Sequence, residues 1–312
     1  MDAEALVSER LELALSSLDL APSYRSLLFS VGQGYLKAQV QHYRACLPPI
    51  QLPFLCCEAH SGHPNRAVGV TTAWFLLQVA AHLLDKVEDH ELEMVGPHLR
   101  QQGVSTNLST GFIFVAEWVL NHLEMDRVDP GAAWDVQRAF QETVLSVCSG
   151  QHLDLSLASP DLFTCWKIAE AKSGAAFGLA CYVGARVATN DTQRLRAMEA
   201  FGRHLGTIIQ VSDDLKDLEL EKEEPQNPSN SLIRAFLSQV CQESSERTER
   251  NNSDRKDRDL SRNALILYLR LEAMKYAEMA QQELSKIQLC QQPRDHIVAI
   301  LNHLSWLGVT TN

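Results

Sequence analysis

Along almost the whole of this 312-residue chain, apolar residues return at the 3.6-residue spacing of an α-helix. The spacing predicts helices near 4–18, 24–44, 68–89, 106–124, 131–149, 164–189, 192–219, 230–242 and 262–286, with a last one at 295–306. Alternating strand patterns joined by Asn-Gly or Asp-Gly turns are missing. A chain without sheet must bury its apolar stripes helix against helix, so the expected fold class is all-α, a single large helical bundle. Breaks are expected at Pro48-Pro49 and Pro53, at Ser61-Gly62-His63-Pro64, at Gly150, where a helix should end, and at Pro225 and Pro228. Residues 243–260 have almost no apolar content and read as a polar surface insertion in one domain spanning 1–312.

Composition narrows the function classes. Hydrophobic residues are 45% and charged residues 21%, the balance of a globular chain. A formal net charge of −11 argues against sequence-independent nucleic-acid binding, which needs a basic face, so no nucleic-acid partner is expected. The eight cysteines include none at CxxC spacing, and several lie in apolar runs. They read as reduced core residues of a cytoplasmic protein. His60 and His63 beside Cys56 and Cys57 lack a second ligand pair for zinc. The acidic start shows no signal peptide, and the most apolar stretch, 68–85, carries Gln78 and His82, so no transmembrane segment is expected.

Two acidic clusters end long apolar helices. In Gln210-Val-Ser-Asp213-Asp214-Leu-Lys-Asp217, Asp213 and Asp217 are four apart and share a helical face. In His82-Leu-Leu-Asp85-Lys-Val-Glu88-Asp89, Asp85 and Asp89 do the same. Like charges at this spacing cost a few tenths of a kcal/mol, about what an exposed pair loses by repulsion, and a divalent cation reverses the sign. Mg²⁺ suits such pairs, because it commonly takes one or two carboxylates and fills its shell with water and phosphate oxygens. Two such clusters suggest carboxylate walls across a helical cavity, holding Mg²⁺ around a diphosphate. A solvated acidic helix end is the plainer alternative for each cluster taken alone.

The pair of clusters, in this order and spacing, resembles the trans-type isoprenyl diphosphate synthases, the polyprenyl synthetase family, with its two DDxxD motifs on facing helices. Asp213-Asp214-Leu-Lys-Asp217 matches the second motif in full, with Gln210 upstream. Gly150-Gln151-His-Leu-Asp154-Leu155 resembles the family's GQxxDL segment, Lys172-Ser173-Gly174 its Lys-Thr-Gly segment, and Asn107 falls where an Asn is common. The resemblance implies an isoprenoid-synthase-like bundle around a central active-site cavity, a homodimer, and Mg²⁺ held by Asp85, Asp89, Asp213, Asp214 and Asp217. It implies catalytic roles for Lys172, as a fixed positive charge beside the diphosphate, and for Gln210. The implied reaction condenses an allylic diphosphate with isopentenyl diphosphate, so prenyl diphosphates are the expected partners.

Departures from the pattern are specific. Lys86 stands where the family has its second Asp, and Glu88 is a partial compensation. Gly62-His63-Pro64-Asn65-Arg66-Ala67 replaces the family's Gly-Lys-Arg-x-Arg-Pro, leaving Arg66, with Gln78 and Arg100, as the expected second-substrate contacts. Ala80 and Ala81, five and four residues before Asp85, imply room for a product of about twenty carbons or more, since bulky aromatics there block growth in the family; close helix packing explains alanines equally well. Two alternatives stay open. A class I terpene cyclase needs no second diphosphate site, and a non-catalytic helical partner subunit could carry a degenerate first motif.

Overall fold

The computed structural model describes residues 2–42, 49–90, 99–157, 161–220, 235–236 and 254–307, with backbone alone at 40, 42, 216, 217, 219, 220, 254–261 and 305–307. Among these residues every regular element is helical. In chain order they are α1 (Ala3–Ser17), α2 (Pro22–His42), α3 (Leu52–Ala59), α4 (Val68–Glu88), α5 (Gln102–Leu120), α6 (Pro130–Ser156), α7 (Leu162–Ala169), a π-turn (Glu170–Gly174), α8 (Ala175–Arg186), α9 (Thr192–Leu220), α10 (Asp254–Ser285) and α11 (Gln291–Leu307). Short 3-10 turns lie at Pro49–Gln51, Pro64–Ala67 and Leu123–Asp126.

The all-α expectation holds, and two local readings are corrected. Pro53 does not break the chain but sits in the first turn of α3, where its missing N–H costs nothing. Gly150 does not end a helix: α6 runs through it to Ser156. Gly150 is buried because it lies against the π-turn, where a Cβ would come within 3.0 Å of Ala171 Cβ and 3.1 Å of Lys172 Cγ. Of the helix expected at 230–242, only 235–236 are described, and they are helical. The polar run 243–260 lies outside the described residues up to 253, and from 254 onward it is helical, within α10.

The chain's contacts fall into two compact units, one of residues 1–141, 179–198 and 288–297, the other of 142–178, 199–287 and 298–312. In the first, α4 is the core helix. Trp74, Phe75, Leu76, Val79 and Leu83 are almost fully buried, and α4 packs along α5 and against α1, α2 and α3. The stretch 64–88 contains an 18-residue window apolar enough to cross a membrane, with a mean hydropathy of 1.6, but 72% of that window is buried inside the protein. The buried Thr71 and Thr72 donate their hydroxyls to Ala67 O and Val68 O, which satisfies them within the helix. The start of α4 is tied by Asp126, whose carboxylate accepts the Gly69 N–H at 3.0 Å and pairs with the buried Arg10 of α1.

The second unit has its own core. Val211, Leu215 and Leu218 of α9 meet Leu265, Leu269 and Ala273 of α10 and Cys165 of α7, flanked by Trp166 and Tyr268. Four cysteines, 56, 57, 165 and 181, are buried free thiols; Cys148 is exposed and Cys290 half-buried.

Candidate active site

The second unit gathers three of the sequence motifs at one point. Between α7 and α8 the chain makes a π-turn, in which the Ala175 N–H bonds to Glu170 O five residues back. Such bulges carry one extra residue and are frequent at functional sites. Glycines let neighbouring helices close on it. A Cβ on Gly206 of α9 would lie 2.3 Å from Ser173 O, and one on Gly174 would lie 3.2 Å from Arg203 O.

From this turn, side chains reach three different helices. Lys172 Nζ donates to Asp154 Oδ2 of α6 at 3.0 Å, an ion pair whose side chains are 24% and 25% exposed. The Lys-Ser-Gly and Gly-Gln-x-x-Asp segments therefore form one structure. The Ser173 hydroxyl donates to Gln210 Oε1 at 2.9 Å, and Gln210 Nε2 donates to Asp214 Oδ1 at 2.9 Å. Tyr276 of α10 donates its hydroxyl to Glu170 at 2.8 Å.

This geometry refines the sequence reading of the second acidic motif. Asp213 is exposed, whereas Asp214 is 3% exposed and held by Gln210. Gln210 links Ser173 to Asp214 through the two ends of its amide. Asp217 lies in α9, but its side chain falls outside the described residues.

The first acidic motif lies in the other unit, at the C-terminal end of α4. Asp85, Lys86 and Glu88 are half-buried and Asp89 is exposed as the C-cap. The helix then leaves through His90 in the left-handed region, at φ 60. Carboxylates crowded into the last turn of a helix meet one another and the negative end of the macrodipole, and a cation relieves both.

The other expected contacts divide. Gln78, half-buried, is two turns before Asp85 on the same helix. Arg100 is exposed, just before α5. Arg66 is not brought to Asp85: it lies in the 3-10 turn before α4, with Asp85 near the other end, roughly 28 Å away at 1.5 Å of rise per residue. It lines instead a cavity of about 750 Å³ with Arg10, His63, Asp126 and Arg127. Ala80 is buried, with its carbonyl accepting the Ser109 hydroxyl of α5 at 2.9 Å, which is the close-packing role; Ala81 is exposed.

The donors fit magnesium. They are hard oxygens, one or two accessible carboxylates to a cluster, which suits a cation that completes its octahedron from water and phosphate. Among the described residues no group of three His, Cys, Asp or Glu is placed to hold an ion as an all-protein cage.

Sequence reasoning did not assign Glu170, Tyr276 or Ser173 a role, and took Asp154 only as part of a motif. Asp154 was findable, since it closes the Gly150–Asp154 segment. The Glu170–Tyr276 contact joins residues 106 apart and leaves no local signal.

An all-α fold with acidic motifs ending α4 and α9, and with a lysine-bearing π-turn beside Gln210, defines a protein of the isoprenyl synthase class. The chain belongs to the polyprenyl synthetase family, whose sequence profile matches residues 56–253. It is 28% identical over 171 residues to the (2E,6E)-farnesyl diphosphate synthases of Mycobacterium tuberculosis and Mycobacterium bovis, an overlap of 53% of this chain and 46% of theirs. The chain thus matches about half the length of these curated relatives. In fold it is similar to the geranylgeranyl pyrophosphate synthetase of the archaeon Geoglobus acetivorans, with a TM-score of 0.77 at 19% identity over 97% of this chain and 96% of that one. It is also similar to a decaprenyl diphosphate synthase from Rhodobacter capsulatus, with a TM-score of 0.73 at 16% identity over 97% and 94%.

Proposed function

We propose that this chain is a Mg²⁺-dependent prenyltransferase that extends an allylic diphosphate with isopentenyl diphosphate. The observation that carries the reading is the convergence of Lys172–Asp154 and Ser173–Gln210–Asp214 on one π-turn, inside the segment that matches the family profile. The farnesyl diphosphate synthase relatives favour elongation over cyclisation and over a non-catalytic subunit.

Asp85 and Asp89 in one unit, and Asp213 with Asp217 in the other, are the residues that would hold magnesium. Bound there, the cation neutralises diphosphate charge and makes it a better leaving group. Lys172 supplies a fixed ammonium whose direction is set by Asp154. Gln210 holds Asp214 in place, so that Asp213 is presented on the open side of α9. Gln78 and Arg100 are the residues left to meet the second diphosphate, since Arg66 is at the far end of α4. Ala81, exposed one turn before Asp85, leaves the growing chain unblocked at that position. The exposed Phe114 and Trp134, 69% and 67% accessible, are apolar surface of the kind a homodimer would cover. The buried free thiols support a reducing, cytoplasmic setting.

The test is incubation with Mg²⁺ and allylic diphosphates of several lengths, with and without isopentenyl diphosphate, followed by product analysis. Products longer by whole five-carbon steps are expected, and Asp213→Ala should abolish them while leaving the helical circular dichroism intact. A cyclised hydrocarbon, or no diphosphate release from any substrate, would remove the proposal.

A further inference from the structure

The π-turn has a third tie, which the proposed chemistry does not use. Lys172 is held by Asp154 and Ser173 by Gln210, whereas Glu170, at the start of the turn, is held by Tyr276. The register of such a turn matters. It contains one residue more than an α-helical turn, and moving that surplus by one position rotates the affected side chains by about 100°. A one-position shift would take Lys172 off Asp154 and Ser173 off Gln210.

Tyr276 is well placed to prevent it. Its side chain is 7% exposed, with the ring centroid 5.6 Å from Trp166 and 5.9 Å from His204, so the hydroxyl has a defined position. Glu170 is itself exposed and receives that hydroxyl at 2.8 Å. Burial and the neighbouring Glu170 carboxylate raise the phenol's pKa, so it remains a donor at neutral pH. Trp166, one turn before Glu170, is fixed in the same place, its indole N–H donating to Tyr268 of α10 at 2.7 Å.

We propose that Tyr276 is a positioning residue: by binding Glu170 it sets the register of the π-turn and thereby aims Lys172 and Ser173. It touches no substrate. The consequence for catalysis rests on the reading of Lys172 given above, but the effect on the turn does not.

The experiment compares wild-type protein with Tyr276→Phe, Glu170→Gln and Glu170→Ala. Three quantities are measured: hydrogen exchange of the amides at 170–175, the labelling rate of Lys172 by an amine acylating reagent with Lys286 as internal control, and kcat and KM for an allylic diphosphate. Tyr276→Phe should speed exchange at 170–175 roughly 2- to 10-fold, the effect of one net hydrogen bond. It should raise Lys172 labelling relative to Lys286 and lower kcat. Glu170→Ala should reproduce the exchange and labelling changes. Glu170→Gln, whose side-chain carbonyl still accepts the bond, should hold wild-type exchange, and Tyr276→Phe combined with Glu170→Ala should add nothing to either alone. Tyr276→Phe with a lowered melting temperature but unchanged exchange at 170–175 and unchanged Lys172 labelling would mean that the contact is only structural, and the proposal falls. A wild-type protein that turns over no allylic diphosphate would overturn the prenyl-transfer reading, while exchange and labelling would still decide the role of Tyr276.

Discussion

The contact between α9 and the π-turn allows a substitution whose two effects have opposite signs. Gly206→Ala removes a glycine from the interior of a helix, which alone is worth about 1 kcal/mol of stabilisation. At this position the new Cβ would lie 2.3 Å from Ser173 O, 2.8 Å from Ser173 C and 3.0 Å from Gly174 Cα. All three are backbone atoms, with no side-chain rotation to relieve them. Restoring an ordinary contact of about 3.4 Å requires α9 and the turn to part by roughly 1 Å, which is the kind of overpacking that costs about 1–3 kcal/mol. The Ser173–Gln210 bond, 2.9 Å long, spans the same gap, and a similar opening takes it past the limit of a hydrogen bond. Gly206→Ala should therefore be destabilised by up to about 2 kcal/mol after the propensity gain is subtracted. Gly34→Ala is the control: Gly34 lies inside α2, and nothing lies within 4 Å of its added Cβ, so it should gain up to about 1 kcal/mol. Urea midpoints at constant m-value measure both. If the two variants were equally stabilised, the close approach of α9 to the π-turn would be wrong, and with it the account of how Ser173 and Lys172 are aimed.

Three further outcomes follow from separate features. Burial raises the Asp126 carboxyl to a pKa of about 6, against the lowering pull of Arg10 and the Gly69 N–H. The folded state then holds this proton where the unfolded chain has released it, so the stability of wild type relative to Asp126→Asn should fall as pH rises from about 4 to about 6, read from denaturant midpoints across that range; a pH-independent difference would contradict it. His90→Gly should stabilise the protein by about 1 kcal/mol, because a left-handed φ that costs a side-chain-bearing residue costs glycine nothing; an unchanged or lower midpoint would count against that reading. Lys86→Asp changes the charge beside Asp85 and Asp89 by two units and should lower the Mg²⁺ concentration for half-maximal activity roughly 5-fold, from about 1 kcal/mol for a partly exposed pair; superimposable titrations would mean that Lys86 has no part in metal binding.

What could be read from sequence followed the range of each interaction. The long helices were legible because their apolar stripes repeat over many turns: α1 and α4 begin and end, and α2, α9 and α11 begin, within a few residues of expectation. α3 was not, because eight nearly all-apolar residues, LPFLCCEA, present no period and Pro53 read as a break. Gly150 was read by its local habit of ending helices, whereas its packing against Ala171 and Lys172 decides its role. Arg66 was assigned by local similarity of Gly62–Ala67 to a basic motif. The helix expected at 68–89 already sets its separation from Asp85, since Arg66 stands before the start of α4 and Asp85 near its end. The acidic motifs and Lys172 were legible because their chemistry lies within short segments. Ser173 with Gln210, and Glu170 with Tyr276, were not, because those pairs are made only by packing.

The substitution at Lys86 weighs less than the motif alone suggests, by charge accounting. Asp85, Glu88 and Asp89 against Lys86 leave the first cluster at a formal −2, and Asp213, Asp214 and Asp217 against Lys216 leave the second at −2 as well. Lys86 in place of an Asp removes two units of negative charge from α4 and Glu88 restores one of them, while Asp85 and Asp89 still share a face. The first cluster ends α4, where the backbone already presents its negative pole. A diphosphate is itself strongly anionic, and Lys172, the base beside the second cluster, is already engaged with Asp154. Neither cluster can therefore attract such a ligand by its own charge. The same carboxylates that would repel a bare diphosphate become its anchor once a divalent cation stands between them. The net negative charge of both clusters is thus what supports the proposed metal dependence, and the support extends to the first motif even with a lysine in its second position.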